Sequence, residues 1–172
     1  MDLYLIRHAH AGNAEEWAGD DAERPLTPLG HKQSQALGLA FRDRRLAVDV
    51  VLTSPLVRTR QTAADFQNTI APGGPEPQPS NLLAPGAMRR RKLTKLLAGL
   101  EARSVAVVGH NPDLSEYLIW LLGAGAEQVH LAKGAAAFVH FEDGPEKGEG
   151  VLNWIVTPDW YLPVSPDSLV IL

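Results

Sequence analysis

The feature that most constrains this chain is the apolar run Leu3-Tyr4-Leu5-Ile6, which stops at Arg7-His8. Four apolar residues without alternation read as a strand buried on both faces, as in a sheet covered by helices on each side. A guanidinium and an imidazole at the C-terminal end of such a strand stand where open α/β sheets bind ligands. The plan recurs twice. Val50-Val51-Leu52 runs into Thr53-Ser54-Pro55-Leu56-Val57-Arg58, and Val105-Ala106-Val107-Val108 runs into Gly109-His110-Asn111-Pro112. Three buried strands therefore each deliver a cation or an imidazole to one edge of a sheet.

The segments between these strands complete the architecture. Ala11 to Pro25 has no period and carries Glu15, Glu16, Asp20, Asp21 and Glu23; a loop of that length in a compact domain is usually functional or mobile. Thr27-Pro28 opens a helix, with Thr27 as N-cap and Pro28 in the first turn, that ends near Arg44 and has Leu37, Ala40 and Phe41 on its apolar side. Strand two is expected over Val48 to Thr53, and a helix from about Pro55 to Asn68. The Pro- and Gly-rich stretch from Ala71 to Pro79 is a linker with a short extended piece leading to Leu82-Leu83.

Leu93, Leu96, Leu97 and Leu100 predict a helix from Met88 to Glu101. Its Arg89-Arg90-Arg91-Lys92 cluster lies near the helix N-terminus, where cations are unfavourable. It reads as a solvated face first and as a docking patch for an acidic partner second. Asp113 to Glu116 has the spacing of a capping box, starting a helix to about Leu122 that Gly123 and Gly125 end. Ala135 to Phe141 and Val151 to Thr157 predict a strand pair. The tail, Pro158 to Leu172, is apolar but broken by prolines, and is expected to pack on the body or on a second subunit. The expectation is a single domain over residues 1–172: a three-layer α/β/α sandwich with a mostly parallel central sheet and an antiparallel end.

Composition removes several function classes. The chain has no cysteine, which excludes disulfides and thiolate metal sites. No window approaches the ~18 apolar residues of a membrane span, and the N-terminus lacks a secretory pattern; the protein reads as cytoplasmic and not membrane-bound. A net charge of −4 argues against a nucleic-acid binder, so an anion must be caught by local positive groups. Oligomeric state is not legible.

Arg7, His8, Arg58 and His110 match a doubly charged tetrahedral anion. Arginine offers phosphate oxygens a planar fork of donors and keeps its charge. A histidine can act as nucleophile when one ring nitrogen is neutral and the other is fixed by a hydrogen bond. Helix N-termini after Pro55 and Pro112 add backbone donors, and Gly109 lets the backbone approach a ligand. Asn13, Ser54, Gly109 and Asn111 are the candidate substrate-binding residues beside the four. Phosphoryl transfer needs mainly positioning and charge stabilisation, which this set supplies.

Leu5-Ile6-Arg7-His8-Ala9, Ser54 to Ala63, Val108-Gly109-His110-Asn111-Pro112 and Arg24-Pro25-Leu26-Thr27-Pro28-Leu29-Gly30 resemble four blocks of the histidine phosphatase superfamily, which has the phosphoglycerate mutase-like fold. Their order and spacing, with Asn153-Trp154 near the C-terminus, are similar to the small bacterial phosphohistidine phosphatases of the SixA type. The resemblance implies that His8 attacks phosphorus, that Arg7, Arg58 and His110 hold its oxygens, that water then releases phosphate, and that no metal or other cofactor is needed. It implies as substrate a phosphorylated protein, such as a histidine-phosphotransfer domain, or else a small phosphate ester.

Two departures from the family pattern bear on substrate. Ala9 stands where many members have glycine, a small change. More telling, Leu82 to Gly86 holds no glutamate where mutase-like members place one, and Asn111 replaces the aspartate of acid phosphatase-like members. An alkoxide leaving group needs a proton, and losing a general acid costs roughly 10²–10⁴-fold. An imidazole leaves more readily, so the missing acid favours a P–N substrate, unless a carboxylate of the Ala11-to-Glu23 loop supplies the proton. The competing readings are a small-molecule phosphomonoesterase for sugar or nucleotide phosphates, a metal-dependent hydrolase using the His8-Ala9-His10 pair, and a non-catalytic phosphoryl-group binder. His31, His130 and His140 read as structural or exposed, and Arg60 as a surface charge.

Overall fold

The computed structural model describes residues 1–125 and 129–162. Six strands form one sheet: β1 (Asp2–Arg7), β2 (Val50–Thr53), β3 (Gln78–Pro79), β4 (Ser104–Gly109), β5 (Ala136–His140) and β6 (Val151–Val156). Their spatial order is β3-β2-β4-β1-β5-β6. β3, β2, β4 and β1 are parallel, whereas β5 and β6 add antiparallel to the β1 side. The mixed sheet with its antiparallel end is the one the apolar runs implied.

The central strands show why alternation was missing. In β1, Leu3 and Leu5 enter one core and Tyr4 and Ile6 the other, and none of the four is more than 1 % exposed. β4 divides likewise, Val105 and Val107 from Ala106 and Val108. The first core is closed by α3 (Arg90–Ala98) and α4 (Asp113–Leu121), the second by α1 (Pro28–Asp43) and α2 (Val57–Ile70). Burial at about 25 cal/mol per Å² of apolar surface on both faces fixes these strands. On the α1/α2 side, Tyr4 meets Phe41 edge-on at 4.9 Å and stacks with Trp154 at 6.1 Å.

α1 begins as its sequence requires. The Thr27 hydroxyl accepts from the Gly30 amide, and the chain leaves the helix at Arg44. A Cβ at Gly30 would collide with the His10 carbonyl oxygen, so glycine lets α1 dock against the segment after β1. α2 starts at Val57, two residues later than expected, because the chain bends at Pro55 and Leu56, the latter the extended N-cap, as it leaves the sheet edge. The Ala11-to-Pro25 loop holds two short 3-10 turns, Ala14–Glu16 and Asp21–Glu23.

Three expectations need correction. α3 covers Arg90–Ala98, not Met88 to Glu101; Arg89 is its N-cap and Gly99 closes it, so Leu100 lies beyond the last turn. Asp113 does not cap α4, since it is the first helical residue and its carboxylate accepts from the Gly86 amide. The tail expectation is met only as far as α5 (Pro158–Tyr161), whose Tyr161 hydroxyl donates to Gly134 O; residues 163–172 lie outside the described residues. No helix among the described residues is long and apolar enough to cross a membrane.

Candidate active site

The C-terminal ends of β1, β2 and β4 deliver the site. The amide of His8, one residue past β1, donates to Gly109 O of β4, so the two strand ends stay in register. α2 is tied to the same point, because the Ala9 amide donates to the Thr62 hydroxyl, which itself donates to Arg58 O. Gln61 accepts from the Leu26 amide and secures the acidic loop. The residues around Arg58 therefore lock α2 onto β1 and the loop, and Arg60 is exposed as expected.

His8 and His110 are 6 % and 4 % exposed, with ring centroids 5.2 Å apart. Nδ1 of His8 lies 2.8 Å from the Ala9 carbonyl oxygen. A carbonyl only accepts, so Nδ1 carries the proton and Nε2 keeps its lone pair. Burial pushes the His8 imidazole down to about 4, opposed by the Ala9 bond and aided by the charges of Arg58, Arg7 and Lys133. The ring is therefore neutral at pH 7 with a defined nucleophilic nitrogen. His110 is pushed down to about 3, by burial first and then by His8 and Arg58. Its Nε2 lies 2.9 Å from the Ser54 hydroxyl, a group that can donate or accept.

Each guanidinium is held through Nη and has an unpartnered Nε. Arg7 donates through Nη1 to Leu131 O at 2.8 Å. Arg58 donates through Nη1 to Asp21 O at 2.7 Å and pairs through Nη2 with the Asp21 carboxylate at 3.0 Å. Nε of each is buried without a partner. Buried orphan donors are costly and therefore rare; two of them, on arginines beside a neutral imidazole, fit an oxyanion.

A cleft of about 450 Å³ opens over this centre, lined by Arg7, His8, Gly12, Asn13, Ala14, Glu15, Arg24 and Lys133. Arg24 and Lys133 were not foreseen. Arg24 ties its guanidinium to Asp21 at 2.8 Å and to Ala11 O at 2.6 Å, and so shapes the loop. Lys133 reaches Gly12 O at 3.2 Å; burial and the charges of Arg7, Arg24 and Arg58 lower its pKa. Asp21, the carboxylate nearest these cations, is held below the usual range chiefly by its bond to Arg24, so it is ionised.

The remaining candidates divide. Asn13 lines the cleft and spends one amide hydrogen on Glu16 at 2.9 Å. Ser54 is fully buried against His110 and orients that ring. Asn111, expected on substrate, is engaged at both ends of its amide, donating to Leu131 O and accepting from Ser115. It thereby shares the Leu131 carbonyl with Arg7 and braces the wall that carries Lys133. Gly109, expected to admit a ligand, faces the Leu114 side chain of α4, which a Cβ built on it would meet at 3.4 Å, an ordinary contact distance. His10 is occupied by the Thr27 hydroxyl at 2.8 Å, His31 and His140 pair with Asp65 and Asp2, and His130 is exposed. Among the described residues no three His, Cys, Asp or Glu side chains gather as a metal site. Arg89 to Lys92 are all exposed, and Arg90 pairs with Glu116 at 2.7 Å.

Comparison with known proteins follows the same lines. The sequence model of the histidine phosphatase superfamily (branch 1) matches residues 3–80. An uncharacterized protein of Picosynechococcus is 32 % identical over 95 % of this chain and 100 % of its own length. The phosphohistidine phosphatase SixA of Escherichia coli K12 is 27 % identical over 92 % of this chain and 94 % of its own. A solved structure of the protein histidine phosphatase SixA complexed with tungstate superposes with a TM-score of 0.79 at 24 % identity, covering 92 % and 98 % of the two chains.

Proposed function

This chain belongs to the histidine phosphatase superfamily, and from that premise we propose that it is a metal-independent phosphatase that dephosphorylates phosphohistidine on a protein. The observation that carries the reading is the His8 ring itself: neutral, buried, and with Nδ1 committed to the Ala9 carbonyl.

The steps follow from that ring. A phosphoryl dianion settles against the unpartnered Nε donors of Arg7 and Arg58. His8 Nε2 forms a bond to phosphorus as the bond to the leaving atom breaks in line behind it. The equatorial oxygens carry charge in that transition state, and the arginines and His110 meet it with fixed donors. His110 is suited to this because Ser54 can donate to its Nε2, which leaves its other nitrogen protonated. Water then attacks phosphorus, His8 leaves as a neutral imidazole that keeps its Nδ1 proton, hydrogen-bonded to the Ala9 carbonyl, and phosphate departs.

The protein substrate rests on what the site lacks and on its likeness to SixA. Asp21 is ionised by Arg24 and Arg58, and Asn111 has no acid to give. Neither group hands a proton to an alkoxide, whereas a P–N bond breaks without one.

The test is a paired rate comparison. kcat/KM is measured on a phosphohistidine peptide and on an alkyl phosphate, with chelator present and His8→Ala as the blank. A strong preference for the P–N substrate that the variant abolishes is expected. A preference for the alkyl ester overturns the reading and moves a small-molecule phosphomonoesterase to first place.

A further inference from the structure

The phosphohistidine reading sets a chemical demand that the described mechanism meets on one side only. In an exchange between two imidazoles, each ring departs with the P–N bonding pair on one nitrogen. Each must keep a proton on the other nitrogen to leave neutral. His8 has an acceptor for that proton, the Ala9 carbonyl at 2.8 Å. The substrate imidazole needs its own acceptor. In-line geometry puts that imidazole on the far side of phosphorus from His8, and the cleft that His8 lines is bounded by residues 12–15 and Lys133.

The acceptors on that wall can be taken one at a time. Gly12 O is used by Lys133 at 3.2 Å and by Arg24 at 3.3 Å. Ala14 O closes the turn by accepting from the Trp17 amide. Of the loop's five carboxylates, Asp21 is bound to Arg24 and Arg58, Glu16 accepts from Asn13, Asp20 caps its own turn at Ala22, and Glu23 does not line the cleft. Glu15 lines the cleft with His8 and has no hydrogen-bond or ion-pair partner among the described residues. Among the side chains that line this wall, the neutral Asn13 Oδ1 is the competitor.

We propose that Glu15 is the leaving-group residue: its carboxylate accepts a hydrogen bond from the distal ring N–H of the substrate's phosphohistidine. As His8 Nε2 bonds to phosphorus, the substrate P–N bond breaks, its electron pair stays on the substrate ring nitrogen, and the distal proton remains on that ring, held by Glu15. No proton is transferred, so no general acid is required. The inference rests on the phosphohistidine reading and extends it.

Leaving-group dependence tests it. kcat/KM is measured for wild type, Glu15→Gln, Glu15→Ala and Asn13→Ala on a phosphohistidine peptide and on p-nitrophenyl phosphate, whose leaving group departs as a stable anion. Losing a hydrogen bond to a charged group predicts a drop of about 10–100-fold on the peptide for Glu15→Ala. Glu15→Gln should fall between, and neither variant should change on p-nitrophenyl phosphate. Equal losses on both substrates, no loss on the peptide, or a peptide-selective loss confined to Asn13→Ala each overturn the assignment. A wild type active on p-nitrophenyl phosphate but inert on the peptide overturns the phosphohistidine reading itself, and Glu15 with it.

Discussion

The ends of β1 and β4 are adjacent parallel strands that each finish in a buried histidine, yet they arm those histidines differently. His8 faces a carbonyl and His110 a hydroxyl. The carbonyl admits one tautomer, which leaves the lone pair of His8 on Nε2, as the proposed attack on phosphorus requires. The hydroxyl accommodates either, so the proton on His110 can follow the charge beside it. Two histidines of similar burial are thus held differently by one hydrogen-bond partner each, which is what the proposed mechanism needs of them.

Breaking the β1 side should cost most. His8→Ala removes the attacking atom, and turnover should fall to the blank in a phosphate-release assay while vanadate, a tetrahedral anion probe, still binds. On the β4 side, His110→Ala should lower kcat by about 10²–10³-fold, the usual cost of one transition-state donor. Arg58→Lys should fall in the same range, because lysine has neither the two Nη donors that hold Asp21 nor the unpartnered Nε. Ser54→Ala is milder. It removes the hydroxyl that holds the His110 ring, worth about 1 kcal/mol or roughly 5-fold in kcat.

Acid sharpens the comparison through stability. Both histidines have folded values below the ordinary 6.5, about 4 for His8 and about 3 for His110. The unfolded chain therefore takes up protons first as pH falls, and the stability that neutral burial represents is whole above pH 6.5 and is lost progressively below it. Urea midpoints between pH 7 and pH 4 should fall with pH, and less steeply in His110→Gln. Vanadate should flatten the slope, because a bound anion lets the rings charge. A slope unchanged by His110→Gln would show that the ring does not titrate as its burial requires.

How much of this was legible follows from how local each signal is. The strand ends were, because burial on two faces writes itself as an unbroken apolar run and Arg7, His8, Arg58 and His110 follow directly on or near those runs. α1 was, because Thr27-Pro28 is a local stop-and-start signal. Lys133 was not. Leu131-Ala132-Lys133-Gly134 carries no pattern, and only the placing of β5 beside β1 brings that lysine over the cleft. Asn111 and Gly109 were misread for a related reason. Both sit in a segment whose type suggests ligand contact, but the Asn111 amide is engaged by the Leu131 carbonyl and the Ser115 hydroxyl, and Gly109 faces Leu114, partners contributed by other elements. The separate fates of the five loop carboxylates likewise depend on where Arg24 and Arg58 reach.

The asymmetry between the two strand ends is tested most directly by trapping the phosphoenzyme. The enzyme is mixed with a phosphohistidine peptide, quenched in alkali, and the modified residue and ring nitrogen are identified by mass spectrometry and ³¹P NMR. Phosphate on Nε2 of His8, absent from His8→Ala, is the predicted result. Phosphate on His110, or on Nδ1 of His8, would contradict the assignment of nucleophile by the Ala9 carbonyl.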